Sequence, residues 1–564
     1  MTAAAPGSKR GSKRASGRVA VVHGLVALVT MLAVAMLALV VTPPGPPALA
    51  EFAPRAEDRI DEALKAQSSN FGTGEGGDCA PGMVCADGGG GLGVTTTTSA
   101  PPAADRDGGG QVDTARVRRC IGDPPRQTED PQSPPCINYF EGDNGGATSK
   151  GVTRDEVRIA VTSGQNYTAR LLIDHFNRRY EFYGRKLRLV NIPYGSEPRT
   201  QAVAADEEAK AFGMVVDDIH GEEIQPEASR RHVITALGSG GYATTELYRK
   251  MAPFAWTYAP AIDEIETSLG RFTCSTLGAG LAQFAGADLR TKPRRYAVVT
   301  SKEGGKRPDL SALHATLAGC NLPTPDTVEL DQSSDDDPAY VSNTYARWQQ
   351  DGITSILILA TADEITQFMS KLPKTFEPEW VVSGVNSHEN EAQWMVVAPP
   401  NHRRSLFGTY VLNKLLPKAD TPSYWAYLDG PGPNESETVP QDPAGDGNFT
   451  RIYHSLLVLA SGVQMAGPNL TPESFAAGLA KARFPNPGAA GPPYYQAHVG
   501  FGPGDFSMVD SASVVWWNDT APSYGGGGIS KEGGWCYVRK GERFGRDWTN
   551  LTSELFDPDP RACR

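Results

Sequence analysis

The fold is decided by the stretch 157–192, which opens with the sequence VRIAVT at residues 157–162. This short β-branched run predicts a strand. A helix-spaced stretch follows at 169–180, and an apolar run at 186–192 predicts the next strand. Three more strands are predicted at 212–216, 232–237 and 254–258. The alternation of strand and helix predicts a parallel sheet with helices on both faces.

A second set of strands begins after Pro260. Apolar runs of the kind buried on both faces of a parallel sheet lie at 295–300, 355–359 and 380–382. Residues 361–364 (TADE) form a capping box that predicts a helix start. The stretch 151–564 is too long for one sheet, and we therefore expect two α/β lobes.

The C-terminal part returns to helices before two final strands. Thr471 followed by Pro472 predicts a helix start, with Thr471 as the N-cap. Residues 497–501 and 512–517 are predicted to pair as the last two strands. From residue 519 onward we expect a polar, Gly-rich tail.

Composition limits the class of protein. The chain has 564 residues, of which 40% are hydrophobic and 21% are charged, and this excludes a collagen or a wholly disordered chain. Lys and Arg number 53 against 65 Asp and Glu, so the net charge is −12. A nucleic-acid-binding face needs Lys and Arg for the phosphates, and no nucleic-acid partner is expected.

Residues 1–50 predict export. A basic block ending at Arg18 precedes an apolar run at 19–41, and a proline cluster then leads to Ala-Leu-Ala at 48–50. The small-residue motif is typical of a signal cleavage site, but the apolar run exceeds the ~7–15 residues of a signal core and meets the ~20 that span a bilayer. A cleaved signal and an uncleaved membrane anchor both stay open. In either case we expect an extracytoplasmic protein, anchored at the cell surface or secreted.

A linker and a set of disulfides are expected next. Residues 51–150 are rich in Gly, Thr and Pro and carry little apolar area, which predicts a linker. An exported chain can keep disulfides, and its 8 cysteines are even in number. No C-x-x-C occurs, so structural disulfides are favoured over a metal site, although many pairings stay open. Spacing groups Cys79 with Cys85, Cys120 with Cys136, Cys274 with Cys320, and Cys536 with Cys563.

Five segments, taken in order, resemble one known family. They are GVTRDEVRIAV at 151–161, YGRKLRLV at 183–190, APFAWTY at 252–258, AGPNLTPE at 466–473 and FGPGD at 501–505. Their order and spacing resemble the type I periplasmic solute-binding proteins of the branched-chain amino-acid (leucine-binding) class, which are substrate-binding proteins of ABC transporters. The stretches 134–136 and 142–148 are similar to the lead-in of actinobacterial members.

The resemblance implies two Rossmann-like lobes with parallel sheets, joined by a three-crossing hinge, with the ligand in the cleft between them. Lobe 1 would comprise about 151–260 and 410–496, and lobe 2 about 261–409 and 497–518, followed by a disulfide-pinned tail at 519–564. Crossings are expected near 259–260, 408–410 and 497–499. The implied partners are a small amino-acid-like or polar ligand, a membrane contacted through the N-terminal segment, and an ABC permease.

Ligands of open α/β sheets collect beyond the carboxyl ends of the strands. Ten residues in the predicted strand-end loops are therefore candidates for ligand contact: Gln165, Asn166, Tyr167, Asp217, Asp218, Ser239, Tyr242, Ser301, Thr361 and Asn386. Each has a plainer interpretation. Ser239 can close a turn, Thr361 can cap its helix, and the two aspartates can complement a helix dipole.

Enzyme alternatives are weaker. GSGGYA at 238–243 fits the dinucleotide motif G-x-G-x-x-A, but three strands precede it and the next strand ends without an acidic residue. No H-E-x-x-H, G-x-S-x-G or P-loop motif occurs. We therefore predict a solute-binding protein that is not an enzyme and needs no cofactor or metal. An anchored sensor or scaffold of the same fold is the alternative, and an NAD-dependent enzyme is a remote one.

Overall fold

The structure is a computed structural model. It describes residues 120–121, 126–127, 130–195, 197–216, 220–241, 243–302, 309–331, 337–384, 391–417, 420–429, 447–484, 497–524, 531–545, 548–556 and 563. The predicted export segment at 1–50 lies outside this part of the chain. Among the helices that the described part contains, none is both long and apolar enough to cross a bilayer.

The first lobe is built on a five-stranded parallel sheet, as the alternating pattern predicts. A short antiparallel pair, β1 (Cys120–Ile121) and β2 (Arg126–Gln127), precedes it. The sheet strands are β3 (Glu156–Thr162), β4 (Lys186–Ile192), β5 (Gly213–Val216), β6 (Ile234–Leu237) and β7 (Ala255–Thr257). Their order across the sheet is β4-β3-β5-β6-β7. Consecutive residues 159–161 are fully buried, because helices cover both faces of the sheet.

The second lobe repeats this order in a seven-stranded sheet. Its strands are β8 (Tyr296–Ser301), β9 (Asp326–Leu330), β10 (Ser355–Leu359), β11 (Glu379–Val382), β12 (Leu406–Tyr410), β13 (Ser513–Pro522) and β14 (Glu532–Tyr537). The parallel part runs β9-β8-β10-β11-β12, and β13 and β14 extend it in antiparallel fashion. The predicted α/β fold with two parallel-sheet lobes is confirmed.

Helices flank both sheets. In chain order they are α1 (Ser163–Arg179), α2 (Pro198–Glu207), α3 (Gly221–Arg230), α4 (Thr245–Met251), α5 (Ile262–Phe272), α6 (Ser311–Gly319), α7 (Pro338–Asp351), α8 (Ala362–Lys371), α9 (Glu391–Val397), α10 (Pro400–Arg403), α11 (Pro422–Asp429), α12 (Gly447–Ala466) and α13 (Pro472–Lys481). Helices α5 to α10 belong to the second lobe. The predicted start of α13 is confirmed, since the Thr471 Oγ1 accepts a hydrogen bond from the Ser474 amide at 3.1 Å.

Three segments join the lobes. The first crossing (258–261) leads from β7 to α5, the second crossing (411–417) follows β12, and the third crossing (497–512) precedes β13. The expected second crossing at 408–410 is displaced, because these residues form the end of β12. The first and third crossings bond directly to each other, with the Val509 amide donating to the Tyr258 carbonyl oxygen at 2.9 Å.

The predicted pairing of the last two strands is wrong. Strand β13 pairs with β12 and β14, whereas Val499 forms an isolated bridge with Val509. Val514 and Val515 point to opposite faces of the sheet and are both fully buried, so β13 needs neighbours and cover that a terminal hairpin would not supply. The predicted tail supplies β14, which forms the edge of this sheet.

Residues 130–150, which we call the lead-in segment, pack against the first lobe although their composition predicts a linker. Asp130, Gln132 and Ser133 are at most 1% exposed. Buried polar side chains must find hydrogen-bond partners, and these partners lie far away in the chain. Composition measures apolar area and does not register such bonds.

Two disulfides connect elements of the second lobe. Cys274 is bonded to Cys320, which joins the π-helical turn Thr273–Leu277 to the end of α6. Cys536 in β14 is bonded to Cys563. Both pairs are among those grouped by spacing, and Cys136 is also disulfide-bonded.

The structure does not describe the first cysteine pair that was grouped by spacing. Cys79 and Cys85 both lie outside the described residues, in the stretch that precedes β1. The pairing of Cys79 with Cys85 therefore stays a prediction from their close spacing in the sequence.

Candidate functional site

The strand ends of the two lobes meet beside the first half of α5. In lobe 1, the Ala243 carbonyl oxygen accepts from the Ile262 amide at 3.1 Å, and the Thr245 amide donates to the Asp263 Oδ1 at 2.8 Å. In lobe 2, Gly384 lies two residues beyond the end of β11, against Ile265. Segments that follow β6 and β11 therefore border the same helix.

Three of the predicted ligand residues lie in the first turns of α1 instead of in a loop. Helix α1 begins at Ser163, immediately after β3, so Gln165, Asn166 and Tyr167 are helical. The turn forms without a side-chain cap from Thr162, whose Oγ1 donates instead to the Gln165 Oε1 at 3.2 Å. The predicted loop is wrong, but its residues still follow the carboxyl end of β3. Gln165 is buried, and in the described part of the chain its Nε2 has no hydrogen-bond partner.

Ser239 is fully buried at the carboxyl end of β6. Its carbonyl oxygen accepts from the Thr257 Oγ1 at 3.3 Å. The preceding Gly238 lies so close to α12 that an added Cβ would be 1.8 Å from the Arg451 carbonyl oxygen. This glycine is therefore explained by close packing of helix and strand end. Four other candidates, Asp217, Asp218, Tyr242 and Asn386, lie outside the described residues.

Ser301 and Thr361 come together in lobe 2, where β8 and β10 end. Both hydroxyl groups donate to the Glu364 Oε2, the Thr361 bond at 2.8 Å. The Thr361 amide donates to the Ser301 Oγ at 3.2 Å. The predicted capping box at the start of α8 is confirmed, and it now includes Ser301. These hydroxyl groups stabilise the helix start, which is the plainer interpretation considered for Thr361.

A cavity of about 260 Å³ lies at the hinge. All three crossings line it, through Pro260, Val411 and Val509. The polar face of α5 contributes Asp263, Glu264, Thr267, Ser268 and Arg271, and the third crossing adds Asp505 and Asp510. The ten residues predicted from the sequence do not include any of its lining residues.

Glu264 and Asp505 share a serine hydroxyl at this cavity. The Ser507 Oγ lies 2.6 Å from the Glu264 Oε2 and 3.1 Å from the Asp505 Oδ1. Burial, with smaller contributions from the nearby Asp505 and Asp263 carboxylates, raises the pKa of Glu264 to about 7, although hydrogen bonds from Ser507 and Ala261 act to lower it. Burial also raises the pKa of Asp505. The hinge therefore holds carboxyl groups that resist ionisation.

We expect Glu264→Gln to weaken the pH dependence of stability. Folded protein keeps the Glu264 proton up to about pH 7, whereas the unfolded chain releases it near pH 4.5. Because the folded state binds more protons in this window, the free energy of unfolding should fall as pH rises through it, by on the order of 3 kcal/mol from this group. Urea unfolding at both ends of the window measures this fall.

The matched control is Glu246→Gln, which replaces an exposed glutamate on α4. The free energy of unfolding of this variant should change with pH as that of the unmodified chain does. An unchanged pH dependence in Glu264→Gln would show that Glu264 ionises normally.

Among known proteins, this chain is similar to solved structures alone. No protein-family model matches the chain, and no curated protein matches it. Solved structures do. An ABC transporter substrate-binding protein of Aeropyrum pernix is similar with a TM-score of 0.49 and 11% identity, over 70% of this chain and 96% of that one. A leucine-binding protein of Thermotoga maritima is similar with a TM-score of 0.44 and 14% identity, over 64% and 95%.

A third similar structure is a fatty-acid ABC transporter substrate-binding protein of Thermomonospora curvata, with a TM-score of 0.45 and 13% identity over 70% of this chain and 94% of that one. The fold class itself follows from the repeated strand order of the two sheets.

Sequence reasoning missed the hinge residues. The polar face of α5 carried a usable signal, because Asp263, Thr267 and Arg271 recur at four-residue spacing opposite the buried Ile265 and Leu269. Gln132 and Arg543 carried no such signal. Most of the hinge partners of Gln132 and Arg543 are more than 100 residues away in sequence, and only the folded chain brings them to the crossings.

Proposed function

We propose that this chain is an extracytoplasmic solute-binding protein, which captures a small polar or amino-acid-like ligand in the cleft between its lobes for an ABC-type importer. One observation supports this most strongly: two sheets of the same strand order have strand ends that border the same helix α5. Ligand sites of open α/β sheets lie at such strand ends.

Binding at this position needs no reactive side chain. Each lobe would contact one side of the ligand, so a conformation with the lobes together makes more contacts than one with the lobes apart. The ligand then shifts the population of the two conformations by its difference in affinity for them. Gln165 is the candidate we favour in lobe 1, because its Nε2 remains available for a ligand oxygen.

A membrane-anchored ligand sensor of the same fold is the second candidate. Two of the predicted ligand hydroxyls, those of Ser301 and Thr361, are already bonded to Glu364. Such a cleft offers a ligand fewer free polar groups. A protein of this kind could signal to another surface protein through the relative position of its lobes and would not need to deliver a ligand. Mass spectrometry of the chain from the membrane fraction tests the anchor, since retention of residues 19–41 favours the sensor and their loss favours a released binding protein.

A ligand panel tests the binding function. The full-length chain is melted with and without individual amino acids, amides, polyamines and short peptides. A true ligand at about 100 times its dissociation constant should stabilise the folded chain by about 2.7 kcal/mol. Gln165→Ala should reduce the stabilisation, whereas Gln349→Ala, on the exposed face of α7, should leave it unchanged. If no compound raises the melting temperature, the proposal fails.

A further inference from the structure

Gln132 of the lead-in segment lies where the three crossings meet. Its Nε2 donates to the Asn413 Oδ1 at 3.0 Å and to the Ala497 carbonyl oxygen at 2.9 Å. Its Oε1 accepts from the Tyr258 Oη at 2.8 Å and from the Asn413 Nδ2 at 3.2 Å. An amide side chain has two donor hydrogens and two acceptor lone pairs, and all four are used here.

Each of these partners belongs to a different crossing. Tyr258 lies in the first, Asn413 in the second and Ala497 in the third. The partners also bond to one another, since the Asn413 Nδ2 donates to the Tyr258 Oη at 3.1 Å and the Ala497 amide donates to the Asn413 Oδ1 at 2.8 Å. Gln132 thus closes a hydrogen-bonded ring around the hinge, and it is 1% exposed.

The lead-in segment is itself fixed to the first lobe. The backbone N–H of Gln132 donates to the Asp130 Oδ1 at 2.7 Å, and the Tyr453 hydroxyl of α12 donates to the Asp130 Oδ2. Further along the segment, the Gln464 Nε2 of α12 donates to the Pro135 carbonyl oxygen at 3.1 Å. Helix α12 therefore holds Gln132 in place from one side, while the crossings hold it from the other.

We propose that Gln132 is a hinge pin, which makes the three crossings move as one unit and couples the stiffness of the hinge to the chain segment before the lobes. The reason is geometric. N–H···O bonds are effective only at about 2.7–3.2 Å, so displacement of one crossing by about 1 Å breaks its bond to Gln132. Gln132, Tyr258 and Ala497 are buried and Asn413 is half-buried. Because water has little access to these groups, a broken bond is costly and separate movement of one crossing is disfavoured.

Hydrogen exchange of the full-length chain without ligand tests whether Gln132 couples the three crossings. In Gln132→Met, which keeps the side-chain length but removes all four bonds, exchange of crossing amides should become at least about tenfold faster. The increase should appear in all three crossings, including the Ala497 amide. Exchange in β3 and β10, deep in the two lobes, should not change.

Gln464→Met is the matched control. This residue is equally buried and also bonds to the lead-in segment, but its partners are Pro135 and Glu181, not the crossings. Exchange should then increase only near 135 and 181–183. Equal exchange rates in the crossings of both variants, or an increase confined to the first crossing, would overturn the proposal.

Gln132→Asn provides a second variant that keeps the amide chemistry but cannot reach all three crossings. It should give an intermediate increase in crossing exchange, and an effect no smaller than that of Gln132→Met would show that the four bonds are not responsible. The measurement uses no ligand, so its outcome does not depend on the proposed binding function.

Discussion

Arg543→Met is expected to lower the free energy of unfolding by about 3–5 kcal/mol. The guanidinium group comes from the C-terminal part of the chain and lies against the hinge. The lead-in segment, by contrast, contacts the hinge from the N-terminal side of the first lobe. It donates to the Leu412 carbonyl oxygen at 2.7 Å and to the Ser511 carbonyl oxygen at 2.6 Å, and also to the Val411 carbonyl oxygen. Arg543 is 9% exposed, so its loss leaves these carbonyl oxygens buried without partners.

Arg543 remains positively charged although it is buried. Desolvation lowers its pKa to about 10, which still leaves the guanidinium protonated at neutral pH. Bonds from a charged donor to backbone carbonyls are stronger than neutral ones. Two crossings are held in this way, the second through residues 411–412 and the third through residue 511.

Urea unfolding followed by tryptophan fluorescence measures the effect, with Arg539→Met as the control. Arg539 belongs to the same part of the chain, but it is about one-third exposed and pairs with Glu554 at 2.6 Å. Exposed ion pairs contribute about 0–1 kcal/mol, so the control should lose no more than that. Equal losses in the two variants would mean that the carbonyl contacts of Arg543 do not stabilise the hinge.

Glu379→Leu is expected to cost a similar amount, about 3–5 kcal/mol, for a different reason. Glu379 and Arg294 form a fully buried ion pair at the amino ends of β8 and β11, with Nε to Oε2 at 2.8 Å and Nη2 to Oε1 at 2.9 Å. Removing the carboxylate leaves a buried guanidinium without its counter-charge. The Ser355 hydroxyl, which donates to Glu379 at 2.6 Å, also loses its acceptor.

A double-mutant cycle separates the interaction energy between Arg294 and Glu379 from the contributions of their other contacts. Arg294→Met combined with Glu379→Leu removes both charges and should be less destabilised than the sum of the single variants. Glu554→Leu, at an exposed pair, is the control and should lose about 1 kcal/mol or less. Strictly additive losses in the buried pair would contradict a coupled ion pair.

The sheets were predictable because their signal is local. Strands β4 and β10 have the predicted bounds, and the capping residues Thr361 and Thr471 are confirmed, since a strand or a helix start depends on only a few adjacent residues. The start of α1 was not predicted, because Thr162 ends a strand and begins a helix without the side-chain bond that usually marks the change.

The candidate site was less predictable than the fold. Strand-end positions follow from the strand pattern, and Ser301 and Thr361 indeed lie at the ends of β8 and β10. Whether a hydroxyl group at such a position is free or bonded depends on a third side chain, here Glu364. The hinge bonds of Gln132, and those of Arg543 to residues 411 and 412, join residues more than 100 positions apart, and local patterns carry no information about them.

The central claim is that a ligand binds between the strand ends of both lobes. Hydrogen exchange of the full-length chain, with and without the compound from the panel that raises the melting temperature most, tests this claim directly. We predict slower exchange in two places at once: at the start of α1 in lobe 1, around residues 163–167, and at the end of β8 and start of α8 in lobe 2, around 301–302 and 361–364. Protection confined to one lobe, or located only on surfaces away from these strand ends, would contradict the account.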